Sequence, residues 1–133
     1  KYISFLFVIF ISCSTPNIQK CPEISYNSVN KLTSLPDGTL YTGRCLVYEG
    51  NVKKSIQQYI DGVDYGKWVF YFPNGKIETK GKFRNGVRVG KWKYYYESGA
   101  LRQVSSYSKT GQRSGKWTVY KENGDIIEVV NYD

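Results

Sequence analysis

The 133-residue sequence contains no His, no Met, three Cys and four Pro, and its one long apolar run covers only ten residues. Without His, no side chain has an ordinary pKa suited to a general base near neutral pH. The carboxylates fall mostly at turns, such as Asp61, Asp64, Glu97 and Glu122, and none is paired on a strand in a way that recurs. Ser and Lys are plentiful but form no nucleophile motif, so catalysis is not expected. The absence of His and of any paired CxxC spacing gives no metal site, and no cofactor is expected. With no Met at position 1, the sequence is expected to begin just inside the natural start.

What is present is repetition. Blocks opening with Gly and a basic residue begin at Gly43, Gly66, Gly90 and Gly115, at intervals of 23, 24 and 25 residues. A period this even is the signature of a repeat architecture, which builds an extended surface and not a catalytic pocket. Within a block, KWVFYF (67–72) and KWKYYY (91–96) are dense in aromatic and β-branched residues, as strands are. Each runs into a turn tripeptide ending in Gly: Pro73-Asn74-Gly75, Glu97-Ser98-Gly99 and Glu122-Asn123-Gly124. Asn-Gly supplies the positive φ angles of a tight hairpin. A return strand such as KIETKGKF (76–83) follows, then a Gly-containing loop, RNGVRVG. The fold class this predicts is all-β: an antiparallel hairpin meander forming an elongated single-sheet solenoid.

Alternation sorts the side chains of each first strand onto two faces. Trp68 and Phe70, Trp92 and Tyr94, and Trp117 and Val119 share the more apolar one and predict a continuous aromatic ladder. On the wetter face, Arg44, Lys67, Lys91 and Lys116 form a cationic rib, and Tyr48, Tyr71, Tyr95 and Tyr120 a phenolic one. If equivalent strands lie two apart, neighbours in a rib stand roughly 10 Å from one another.

The amino terminus reads as an address. After Lys1, YISFLFVIFI is too short for a helix spanning about 30 Å of hydrocarbon, which needs roughly 20 residues. It is expected to be the core of a signal peptide over residues 1–12. Phe10-Ile11-Ser12-Cys13 resembles a bacterial lipobox, with Cys13 as the palmitate-bearing residue, although Phe10 stands where Leu is commonest. The alternative is a buried strand or helix with an incidental Cys. The lipoprotein reading gives residues 13–36 as tether and N-terminal cap, 37–133 as the repeat domain, and a lipid-anchored place in the bacterial envelope, at the outer membrane or periplasmic side. In an oxidising compartment Cys21 and Cys45 are a candidate disulfide, with two free buried thiols as the alternative. Cys45 occupies the place of Trp68, Trp92 and Trp117, so the first block is expected to exchange an aromatic for a staple.

GKWxxYYxxG followed by an aromatic-ended strand resembles the MORN repeat in its bacterial variant form, as found in proteins labelled YwqK-family antitoxins. The resemblance runs from about Asp37 to Asp133, through Trp68, Tyr71 and Gly75, then Trp92, Tyr95 and Gly99, then Trp117, Tyr120 and Gly124. DGTLYTG (37–43) resembles the tail of a preceding unit, and the first block departs from the pattern with Cys45 and a shortened turn after Tyr48. The resemblance implies a hairpin solenoid used for binding or scaffolding.

A formal net charge of +8 and the cationic rib favour a protein partner or anionic lipid or glycan. Lysines on a solvated sheet face also serve solubility and discourage edge pairing, which needs no ligand. Alternating basic and aromatic residues suit single-stranded nucleic acid, but export argues against it. The last strand, IIEVVNY (126–132), is β-prone and sparsely charged, so a homo-oligomer through this edge is a further expectation. The reading is a non-enzymatic, envelope-anchored binding or scaffolding module; the alternative is an antitoxin or immunity protein that occludes a toxin.

Overall fold

The structure, a computed structural model, describes residues 18–133. The expected signal segment and Cys13 lie outside the described residues. Eleven strands and no helix make up the described chain: β1 (Ser25–Asn27), β2 (Leu32–Ser34), β3 (Gly43–Glu49), β4 (Val52–Ile60), β5 (Val63–Asp64), β6 (Gly66–Tyr71), β7 (Ile77–Arg84), β8 (Val87–Tyr95), β9 (Leu101–Tyr107), β10 (Gly115–Tyr120) and β11 (Ile126–Tyr132). β1 and β2 pair with each other, and the rest form one antiparallel sheet in the order β11-β10-β9-β8-β7-β6-β4-β3, with β5 alongside β4. Strand order follows chain order, the meander expected of hairpins added one after another. The first strands β6, β8 and β10 alternate with return strands, so their equivalent residues stand two strands apart.

The turns divide the work differently from the sequence expectation. Within repeats only the glycine is left-handed, at φ 82° for Gly75, 97° for Gly99 and 94° for Gly124. Each such loop is closed by bonds like Gly75 N to Phe72 O, 2.9 Å, and Phe72 N to Lys76 O, 2.8 Å, with a register shift beside it between Phe70 and Tyr71. The two-residue turns with both φ positive lie between hairpins, at Asp61-Gly62 (48° and 74°) and Asn85-Gly86 (50° and 76°). Asn85-Gly86 therefore sends β7 straight back into β8, which begins at Val87 and not at Gly90 as the loop reading had it. Pro36-Asp37-Gly38 repeats the in-repeat turn, with Leu35 N bonded to Thr39 O at 2.8 Å and Gly38 N to Leu35 O at 2.9 Å. The residues ahead of the first block thus form a small hairpin of their own, which DGTLYTG alone did not reveal.

The outer edge of β3 is covered by the N-terminal segment. Leu46 N donates to Gln19 O and Cys21 N to Leu46 O, at 2.8 and 2.7 Å. Cys21 and Cys45 are joined by a disulfide with Cα atoms 4.7 Å apart, and Cys45 is buried.

One face of the sheet is its core. Trp68 and Trp92 are 6% and 0% exposed, while Trp117 is half-buried. Each indole N–H donates to a backbone carbonyl near the end of the preceding return strand: Trp68 to Gln58 O at 3.0 Å, Trp92 to Lys82 O at 3.2 Å, Trp117 to Ser106 O at 2.8 Å. A buried indole thus has its one donor satisfied. The ladder differs from the expected one in its rungs. Phe70 does lie beside Trp68, with centroids 5.9 Å apart, but the contacts between repeats run through return-strand aromatics. Tyr59 meets Trp68 at 5.3 Å, Phe83 meets Trp68 at 4.9 Å and Trp92 at 5.0 Å, and Trp117 sits between Tyr107 and Tyr132 at 5.3 and 5.2 Å. Arg88 and Arg113 stack over Trp92 and Trp117, at 4.5 and 4.9 Å from the ring centroids. Small residues leave the room: the Trp92 ring lies over Gly81, and the residue directly opposite Trp92 is the buried Ser105.

Candidate functional site

The opposite face carries the charge. By alternation within the paired strands, Arg44, Lys67, Lys91 and Lys116 all point away from the indoles, and all four are exposed. Tyr48 on the same face is 38% exposed, whereas Tyr71, Tyr95 and Tyr120 are half-buried. The two ribs are therefore present, but they are not independent. Lys53 Nζ lies 3.8 Å from the centroid of Tyr71 and Lys80 Nζ 5.4 Å from that of Tyr95, so return-strand lysines cover the phenolic rings. This face also has a dry floor, with Ile56 and Thr118 buried at 9% and 4% exposure. Long side chains lying across the sheet bury what strict alternation marks as wet.

Around β7 the cations concentrate. Lys67 on β6 is directly opposite Lys82, and Lys80 is directly opposite Lys93 on β8. A register shift between Lys80 and Lys82 brings in Lys91. Alignment of first strands alone left the return-strand Lys80 and Lys82 out of the candidate face, and matching one cation per repeat left out Lys93, which stands on a first strand itself. The signal was present in KGK at 80–82, where two lysines of one parity flank the glycine that faces Trp68.

The perturbed titrating groups among the described residues lie mainly on the indole face. Burial, helped by the Asp64 charge, pushes the Tyr59 hydroxyl up to about 12, and burial raises the neighbouring Asp64 carboxyl above the usual carboxylate range. Tyr59 donates to Gln57 Oε1 at 2.6 Å, and Gln57 Nε2 donates to Ser55 Oγ at 3.1 Å, so these polar groups satisfy one another along β4. That chain of bonds has the character of a satisfied structural network. Among the described residues no helix is long and apolar enough to cross a membrane.

The repeat geometry has relatives. Residues 64–85, 88–109 and 113–133 each match the family described as MORN repeat variant. The three MORN matches coincide with the hairpins β6–β7, β8–β9 and β10–β11, and the Cys45 block falls outside them. Among curated proteins none matches the sequence. A chain in the crystal structure of the GtfA/B complex bound to UDP and GlcNAc aligns with 84% of this chain at 12% identity and a TM-score of 0.40. This chain spans 27% of that one's length.

Proposed function

We propose that the protein is a non-enzymatic binding module of the bacterial envelope, anchored by lipid at Cys13, that presents its lysine-bearing sheet face to another macromolecule. MORN repeats commonly mediate binding or scaffolding. The observation that carries the reading is the division of labour between faces. The indole face is occupied by its own aromatic and arginine contacts, while the other holds a repeated set of exposed cations at Arg44, Lys67, Lys91 and Lys116. A net charge of +8 with cations in rows supports an anionic partner surface, drawn in by long-range attraction. The cations at the centre of the row sit on interior strands, where protection of a sheet edge is not needed.

Crosslinking in intact cells, followed by purification, tests the reading. The wild-type protein is expected to retain a specific partner that Lys67→Glu/Lys91→Glu/Lys116→Glu loses while staying folded. An unchanged partner set in the charge-reversed form contradicts it. For the anchor, Cys13→Ala is expected to leave the membrane fraction, and retention there removes lipidation from the account.

A further inference from the structure

The cations are not spread evenly along the lysine face. Lys67, Lys80, Lys82, Lys91 and Lys93 rim a single trough of about 220 Å³ over Val69, on the adjacent strands β6, β7 and β8. An adjoining cavity of about 530 Å³ shares Lys67 and Lys82 and adds Arg84 and Lys109. No carboxylate lines either one, and among the described residues none of these cations is in an ion pair. Two of the lysine pairs are directly opposed across the ladder, an arrangement that holds Cβ atoms about 4.5–5.5 Å apart and is destabilising for like charges. Strand β7 lies inside the sheet, so the cluster does not protect an edge.

Repulsion built into an interior strand, over an apolar floor and without counter-charge, is what a bound multivalent anion would relieve. We propose that this trough is a binding site for a compact oligophosphate anion. The inference rests on the reading of the lysine face as the interaction surface and names what its centre takes. The footprint is small. Three adjacent strands span about 10 Å, and two residues along a strand about 7 Å, so five cations converge on an area that a short chain of phosphates fills. A phosphate chain brings several charges into that space, and lysine serves each as a mobile point charge. A bilayer surface is broad and cannot enter a trough, and an acidic glycan spaces its charges over successive sugar rings. The apolar floor strengthens the attraction by keeping water from one side of the ligand.

Thermal unfolding of the full chain with sodium tripolyphosphate, against NaCl of equal ionic strength, reads the site. Ligand at about 100 times its Kd is expected to raise the midpoint on the order of 10 °C beyond the NaCl control. Lys80→Gln/Lys82→Gln loses this rise, and without ligand in low salt it unfolds at a higher temperature than the parent, since both opposed pairs are gone. Lys67→Gln/Lys93→Gln, which also removes one member of each opposed pair, carries the same signatures should the first variant fail to fold, and Lys116→Gln keeps the full response. The proposal is overturned if tripolyphosphate does no more than NaCl, or if Lys116→Gln loses the response as completely. It is also overturned if phosphatidylglycerol vesicles or an acidic glycan bind and excess tripolyphosphate fails to displace them. Loss of the phosphate response with partner capture through Lys67, Lys91 and Lys116 intact removes this inference alone; loss of both removes the reading beneath it.

Discussion

Replacing Gly81 by Ala sets a local rule against the packing seen here. In an ordinary strand the change restricts the unfolded chain and stabilises by about 0.4–1 kcal/mol. At Gly81 the new methyl would point onto the indole face and fall within the ring of Trp92, overlapping Cδ2 and Cε2 and lying 2.6 Å from Cγ. The ring has nowhere to go. It is fully buried, its N–H is bonded to Lys82 O at 3.2 Å, and Phe83 and Arg88 hold its sides. Overpacking of this kind costs about 1–3 kcal/mol, which exceeds the entropic gain and leaves a net loss of about 1–2 kcal/mol. For a domain of this size the thermal midpoint falls by about 4–8 °C, measurable by circular dichroism with indole fluorescence recorded alongside. Trp92→Leu in the same chain relieves the clash, so the two changes together should cost less than their separate losses combined. A higher midpoint for Gly81→Ala would refute the packing of Trp92 over β7.

Other outcomes follow from the same contacts. Trp92→Ala is expected to cost about 3–5 kcal/mol in urea denaturation, and Trp117→Ala at least about 1 kcal/mol less because that indole is only half-buried, although the two are equivalent in the sequence. The raised Asp64 carboxyl means that the folded state favours its protonated form. Its contribution is fully present below the ordinary carboxylate range and is lost as pH rises through the raised value. Asp64→Asn should therefore unfold at a higher temperature than the parent at pH 7, with the difference closing on acidification to about pH 3, below the ordinary carboxylate value. Reducing the disulfide, whose cysteines are 24 residues apart, should cost about 3 kcal/mol in the chain-entropy account, and an unchanged midpoint under reductant would show that the N-terminal segment holds β3 without it.

The sheet was legible in the sequence because each local signal agreed with the others. Aromatic-rich first strands, a glycine at each turn and an even period of about 24 residues point to the same hairpin, and the strands formed where the pattern placed them except that β8 starts three residues early, inside the expected loop. Less was visible where geometry depends on neighbours two strands away. Tyr59, Phe83, Tyr107 and Tyr132 recur as evenly as the tryptophans, yet their role as rungs between repeats emerges only when Phe83 is seen between Trp68 and Trp92. The choice of turn was ambiguous for a similar reason. Asn-Gly occurs both at 74–75 and at 85–86, and only the second adopts two positive φ angles, because the longer in-repeat loop ends in a bulge that needs the glycine alone. The lysine trough was hidden because Lys67 and Lys91 were compared with each other along the period, while Lys80 and Lys82 come from the intervening strand and Lys93 has no counterpart in the other repeats.

The most direct test of the central arrangement is the set of side-chain nuclear Overhauser contacts in solution. A single sheet with indoles in register predicts cross-peaks from Phe83 to both Trp68 and Trp92, and from Trp117 to both Tyr107 and Tyr132, with none from an indole ring to the Lys80 or Lys82 ammonium ends. Absence of the Phe83 pair, or indole cross-peaks to those ammonium ends, would contradict the separation of faces on which the binding reading depends.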